Sequence, residues 1–449
     1  MALTDSMSTV LDDQGIQQLL SESVKLQTWL DVESALATAQ AENGLIPKAA
    51  AIQIKRNAKV ENLDLTKMAE IKRQVGHGFV PFVKVFVQTC DSESGKYIHY
   101  GATTQNIQQS SQNIILKQIN HKFLIMTKTI LLNLARLAEN NAASVMAGRT
   151  HGKHAIPITY GYKVSTWLSD MLMSLDRLEQ LEPRVFTIMM GGAVGAFNSV
   201  GAVGPKVQAR VGELLNMPVM MIPSRAIHTP QIEYINALAL LANNCETIAE
   251  EVFQTSIEEF GEVSEPFQQG TIGSSTMPHK INPKLSKGII ANAQKLYSLT
   301  QVGYYSSARP FEADSSSNML FDGLLTEAVG LMREILSRTV ALTETLQVHV
   351  SRLYANATIN HGIDNSEYIM MALAKKIGKD RAHTMVYQMA IDAEVNHKSY
   401  QDILLKNELL GQMFSKDELN NLLKPENYTG LSQELTLKMV KIVRQRCAK

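Results

Sequence analysis

Three stretches of this 449-residue chain gather side chains that can move protons or hold anions. The densest is Gly270-Thr271-Ile272-Gly273-Ser274-Ser275-Thr276-Met277-Pro278-His279-Lys280-Ile281-Asn282-Pro283. Glycine, proline, hydroxyls, a Lys and an Asn in one segment suit a polar loop that can close over a substrate. Composition leaves two readings open. In one, the hydroxyls bond their own backbone in a connecting loop. In the other, Ser274 or Ser275 is a reactive oxygen close to the fixed cation Lys280, and Lys280 and Asn282 hold an anion.

The second stretch, Ile98-His99-Tyr100-Gly101-Ala102-Thr103-Thr104-Gln105-Asn106, lies directly ahead of a helical pattern. A helix N-terminus carries partial positive charge, so its N–H groups and the Thr hydroxyls can receive an anion. The plainer reading is an N-cap by Thr103 or Thr104. The third, Gly148-Arg149-Thr150-His151-Gly152-Lys153-His154-Ala155-Ile156-Pro157, reads as a loop holding two histidines. No carboxylate or cysteine cluster accompanies them to suggest a metal. A general acid or base is the better functional reading, and a His bonded to backbone is the structural one. His77, between Gly76 and Gly78, reads as a solvated loop residue.

The elements that must position these groups read as helices. Ile16 to Asn43 carries an amphipathic pattern ended by Gly44 and Pro47, and Leu65 to Val75 is a second helix. Between Pro81 and Pro157 no proline occurs, and Leu116, Ile119, Phe123, Met126, Ile130, Leu134 and Leu137 recur at three- and four-residue spacing, predicting one long helix. Tyr234, Leu238, Leu241, Cys245, Ile248, Val252 and Thr255 form a heptad-like seam that belongs in a bundle. Helix resumes around Asn318 to Leu346. Glu250, Glu251, Glu258, Glu259, Glu262 and Glu265 thicken towards the polar loop and read mostly as solvated face. The glycines of Gly191–Ala196 and Gly201–Gly204 lack the preceding strand and following Lys-Ser/Thr of a phosphate loop.

Bulk composition narrows the function classes. With 45% hydrophobic residues the chain can bury a large core, and its length suggests about three domains. Lys plus Arg and Asp plus Glu number 43 each, so the basic footprint of a nucleic-acid binder is absent. Cys90, Cys245 and Cys447 make neither a disulfide framework nor a zinc pattern, which fits a reducing, cytoplasmic setting. No leader-like start and no run of about eighteen apolar residues is present, so a protein without membrane association is expected.

The segment Gly273–Pro283 resembles the signature loop of the fumarase/aspartase superfamily, GSSxMPxKxNP, at all eight fixed positions. Gly148–Thr159 is similar to the RTHGxHAxPxT region of adenylosuccinate lyases, and His99, Gly101 and Thr103 match the HxGxTSxD region, with Thr104 for Ser and Asn106 for Asp. Trp29–Ala37 with Gly44–Pro47, and Asn360–Glu367 with Gly378–His383, resemble the first and last domains of the adenylosuccinate lyase and carboxymuconate cycloisomerase branch. The resemblance spans nearly the whole chain. It implies an all-α, three-domain fold, divided here as residues 1–97, 98–347 and 348–449, with a long central helical bundle shared in a homotetramer. It also assigns Gly191–Gly204 to a small-residue linker between bundle helices.

What the resemblance implies chemically is removal of a proton beside a carboxylate and expulsion of an amine or oxygen leaving group, usually giving fumarate. Ser274 is the implied general base, acting as an alkoxide, and Lys280 supports the negative charge. His151 is the implied general acid. His99, Thr103, Thr104, Gln105, Thr150, Ser275 and Asn282 are implied substrate-binding residues, and neither metal nor organic cofactor is expected. The substrate is a small molecule bearing a succinyl or related dicarboxylate group. Carboxymuconate cycloisomerases commonly carry Trp where His151 stands, so His151 favours the amine-eliminating branch. A cycloisomerase and a catalytically silent binding protein on the same fold are the alternatives. The arginines that grip a nucleotide phosphate in adenylosuccinate lyases are missing from Ile227–Tyr234 and Phe311–Leu320, leaving Arg225 or Arg309 as substitutes.

Overall fold

The computed structural model describes residues 11–266, 276–277, 279–313 and 315–448. Helices dominate, and the chain divides into two compact units: residues 1–126, 174–243 and 291–337, and residues 127–173, 244–290 and 338–449. Among the described residues no helix is long and apolar enough to cross a membrane.

The first unit opens on a short turn of helix, Ile16–Leu19, and then the helix Glu22–Glu42. The continuous helix predicted from Ile16 to Asn43 is therefore broken, because Ser21 caps the longer helix by accepting the Val24 N–H at 3.3 Å. Gly44 ends it with φ +76°, a conformation that costs a side-chain-bearing residue but not glycine. Glu22–Glu42 packs against Lys48–Asn57 and Gly204–Leu215. Trp29 meets Phe79 and Phe82 edge-on, and the three ring centroids lie 4.9–5.2 Å apart. The helix Leu65–Val75 forms as predicted, capped by the Asp64 side chain. His77 is structural: its Nδ1 accepts the N–H groups of Phe79 and Val80 at 3.1 Å, at the start of the helix Val80–Val87.

Long helices run Thr104–Asn140, Tyr160–Gln180, Thr229–Thr255, Lys284–Ser307 and Leu324–Thr345. Every member of the Tyr234-to-Thr255 seam is buried, as its spacing demands. The helix predicted from Asn318 to Leu346 is instead two, Ser315–Phe321 and Leu324–Thr345, separated at Gly323 with φ +78°. The Gly191–Gly204 linker approaches its neighbours closely: a Cβ on Gly191 would lie 2.6 Å from Pro223.

The second unit contains a feature that the sequence presents as a loop. Val145–Thr150 and Lys153–Thr159 form an antiparallel hairpin, with Val145 opposite Thr159 and Arg149 opposite His154. Its two-residue turn, His151-Gly152, has φ +53° and +71°, the pair of positive values that a type I′ turn requires. A second, minimal pairing joins Val263–Ser264 to Gln347–Val348. The helices Ser366–Ile377 and Lys379–Val395 pack together, and Ile369, Leu373, Val386, Met389, Leu404 and Leu410 lie in their shared core.

Candidate active site

In the first unit the His99 imidazole is held by a buried carboxylate. Glu33, 2% exposed, places Oε1 2.7 Å from His99 Nδ1 and accepts the His99 backbone N–H on Oε2 at 3.1 Å. A carboxylate facing Nδ1 puts the ring proton there and leaves Nε2 for a substrate. His99 has φ +62°, costly for a residue with a Cβ. That backbone is fastened just after His99 by two side chains. Gln40, seven residues after Glu33 on the same helix, donates to Tyr100 O at 2.6 Å, and Ser199 Oγ donates to Gly101 O at 2.8 Å. The Phe79 ring lies 5.2 Å from that of His99.

Thr103 immediately precedes the helix Thr104–Asn140, and Thr103, Thr104 and Gln105 are all half-buried at its start. Asn106 explains how this site works without the acid usual in the family pattern. Fully buried, its Oδ1 accepts the N–H groups of Thr103 at 3.0 Å and Gly192 at 3.2 Å. One neutral oxygen thus fixes the loop to the linker. An ionised Asp there would bury a charge, whereas Asn leaves only its Nδ2 without a partner.

Gln105 reaches a buried imidazole in the same unit: its Nε2 is 3.3 Å from His228 Nε2 and 3.0 Å from Gln109 Oε1. His228 Nε2 lies 3.0 Å from the Arg225 carbonyl. Burial, then the charges of Arg309 and Arg225, pull His228 down to about 3, so its ring is neutral at physiological pH. Arg309 donates Nε–H to Ser306 O at 3.1 Å and bonds Asn318 Oδ1, with its guanidinium 5.6 Å from the Phe321 centroid.

In the second unit Thr150 and His151 sit at the exposed tip of the hairpin. The strands behind them are anchored by two acids. Glu262, 1% exposed, bonds both terminal nitrogens of Arg149, accepts Asn356 Nδ2 at 2.8 Å, and gives its backbone carbonyl to His349 N–H at 2.9 Å. Opposite Arg149, His154 Nδ1 is 3.1 Å from Asp364 Oδ2. His154 is therefore a structural member of the pair, and His151 is the one presented outward. Burial, followed by the Glu251 and Glu262 charges, pushes the Tyr160 phenol far above its usual range, so it stays protonated.

Lys280 is exposed and its N–H donates to Met277 O at 3.0 Å; Asn282 is half-buried just ahead of the helix Lys284–Ser307. Glu265 caps that helix, accepting the N–H groups of Leu285 at 2.9 Å and Ser286 at 2.7 Å. Ser274 and Ser275 lie outside the described residues.

The structure thus brings His99, Thr103, Thr104 and Gln105 together in the first unit. It places Thr150 and His151 on one turn, and Lys280 and Asn282 on the approach to one helix, in the second. The solvated reading of the glutamates fails for Glu262, which is buried and paired, and for Glu265, which is a cap. Sequence reasoning also passed over Glu33. Its signal was an acid inside the apolar run Trp29–Ala37, where burial without a partner would be prohibitive.

Comparison with known proteins shows what the chain as a whole is similar to. Residues 4–295 match the family profile described as Lyase, and residues 362–439 match that described as Adenylosuccinate lyase C-terminus. Adenylosuccinate lyase of Methanocaldococcus jannaschii is 32% identical over 437 residues, covering 96% of this chain and 94% of that one. N-acetyl-S-(2-succino)cysteine lyase of Dickeya dadantii is 30% identical over 421 residues, covering 91% and 90%. The solved 3-carboxy-cis,cis-muconate lactonizing enzyme from Pseudomonas putida superposes with a TM-score of 0.91 at 25% identity over 100% of both chains.

Proposed function

This chain belongs to the fumarase/aspartase superfamily of lyases, in its adenylosuccinate lyase and carboxymuconate cycloisomerase branch, and from that premise we propose that it eliminates an amine from an N-succinyl substrate and releases fumarate. The observation that carries the reading is the Glu33-oriented His99 imidazole, set four residues ahead of the helix N-terminus at Thr103 and Thr104. An imidazole of fixed tautomer beside Thr hydroxyls at a helix N-terminus suits a leaving nitrogen next to a carboxylate.

In this reading Ser274, as an alkoxide, takes the proton from the carbon beside the succinyl carboxylate. The electron pair first spreads onto that carboxylate, which becomes doubly charged, and Lys280, Asn282 and the Thr103/Thr104 donors stabilise it. The pair then forms the fumarate double bond as the carbon–nitrogen bond breaks, and His151 supplies a proton to the departing nitrogen. His99, Gln105, Thr150 and Ser275 orient the substrate. No step calls for a metal or cofactor. The division at residues 97/98 and 347/348, a cytoplasmic setting, and a homotetramer whose subunits jointly complete each site belong to the same proposal.

The test is fumarate release from a panel of purified compounds: adenylosuccinate, N-succinyl amino acids, an S-succinyl thioether and carboxymuconate. Fumarate from the nitrogen compounds is the expected result. Activity confined to the thioether would move the leaving atom to sulfur, and lactone formation from carboxymuconate alone would replace the reading by the cycloisomerase.

A further inference from the structure

The helix Lys284–Ser307 starts directly behind Asn282 and Pro283, and a proline ahead of a helix has no side-chain acceptor for the N–H groups that the first turn leaves open. The acceptor comes from 20 residues upstream. Glu265 Oε2 accepts the Leu285 N–H at 2.9 Å, and Oε1 accepts the Ser286 N–H at 2.7 Å and the Ser286 hydroxyl at 2.6 Å. Ser286 is fully buried, so water would not replace a lost partner there.

Glu265 is itself held in place. Three residues before it, the buried Glu262 carboxylate bonds both terminal nitrogens of Arg149, on the strand that leads to His151. Between the two acids Val263 and Ser264 pair with Val348 and Gln347, and Ser264 Oγ lies 2.9 Å from His349 Nε2. Asn356 Nδ2 donates to Glu262 Oε1 at 2.8 Å and to Phe260 O at 3.0 Å, and Arg352 Nε donates to Phe260 O at 2.8 Å. A paired, extended segment rises about 3.3 Å per residue, which sets the two acids roughly 10 Å apart on backbone that these bonds keep from sliding. One acid fixes the hairpin and the other fixes the helix start, and all of these residues belong to the second unit.

We propose that Glu265 is a positioning residue for the elimination: anchored to the hairpin through Glu262, it sets the register between His151 at the hairpin tip and Lys280 and Asn282 ahead of the helix. The proposal rests on the roles that the elimination reading gives to those three residues. Glu265 acts through them. Its carboxylate already occupies the Leu285 and Ser286 N–H groups, so these donors do not meet the substrate, and its contribution is placement.

Fumarate release from the N-succinyl compound that the wild type turns over, together with hydrogen exchange of the full-length protein, tests it. In Glu265→Ala the Leu285 and Ser286 amides should exchange at least about tenfold faster, while the hairpin, still held by Glu262, keeps its protection. The kcat of the folded variant should fall by roughly a hundredfold, and KM should rise by less than kcat falls, because the second carboxylate charge and the departing nitrogen arise only on the way to product. Glu265→Gln keeps one accepting oxygen and should lie between the wild type and Glu265→Ala in both measurements; it carries the test alone if Glu265→Ala does not fold. Unchanged exchange at Leu285 and Ser286 would overturn the proposal. So would faster exchange with kcat within about twofold of the wild type, which would leave Glu265 a helix cap only, with the elimination reading intact. A wild type that releases fumarate from no succinyl compound would instead remove the elimination reading and this role with it, and the exchange difference would then show the clasp on the helix start alone.

Discussion

A buried carboxylate against an imidazole decides which ring nitrogen can do chemistry, and here Glu33 makes that choice for His99. Glu33→Ala is expected to lower kcat/KM by roughly a hundredfold, because a His99 ring no longer held in place misorients the substrate. Glu33→Gln keeps an acceptor oxygen without the charge and should recover part of the loss, with an altered pH profile for kcat. Equal pH profiles for the wild type and Glu33→Gln would reduce Glu33 to a packing residue. The motif positions His99, Thr103, Thr104 and His151 were legible as candidates because hydroxyls and histidines beside glycine stand out in sequence. Glu33 was not, because its partner lies 66 residues away and only the fold supplies it. Asn106 was legible as a departure from pattern, but its meaning required the two N–H groups it accepts.

At the level of elements, the hairpin that carries His151 depends on Arg149 and Glu262. Breaking a buried, multiply bonded ion pair from one side leaves an uncompensated charge, so Arg149→Met should destabilise the protein by about 3–5 kcal/mol. A shift of the urea midpoint at unchanged slope measures this, and an unchanged midpoint would show that Asn356 alone satisfies Glu262. The turn adds a smaller effect: Gly152→Ala at φ +71° should cost about 1 kcal/mol. The long helices were readable because their apolar seams repeat over many turns. The hairpin was hidden because its turn residues, His-Gly, also read as a catalytic loop, and Pro157 hides the strand pattern. The break at Gly323 was missed since one glycine inside a periodic run is ambiguous until its φ is known.

For the whole molecule, acid stability should carry the signature of His228. Its folded value of about 3 lies below its ordinary 6.5, so between those limits the unfolded chain binds a proton that the folded chain refuses. Stability is therefore full above about pH 6.5 and falls as pH drops towards 3, with a slope from this group of at most ~1.4 kcal/mol per pH unit. His228→Gln should flatten urea-midpoint curves between pH 6 and pH 4.5, above most carboxylate titrations, and an unchanged slope would contradict a neutral buried ring. The proposed tetramer predicts sedimentation at four times the 49.7 kDa of the chain, and a fully active monomer would contradict shared sites. The helical fold class was legible because periodicity and a near-continuous resemblance agreed. How Arg225, His228 and Arg309 converge from separate segments was not, since only the fold brings them together.

The central claim, elimination of fumarate by a serine base, is tested most directly by following fumarate from adenylosuccinate with wild-type protein and the Ser274→Ala variant side by side. The account predicts steady release by the wild type and a loss of at least about a thousandfold in the folded variant, since a missing general base removes one of the largest single contributions. Equal rates from the two proteins would contradict the assignment of Ser274 and move the base elsewhere, with Ser275 the first candidate.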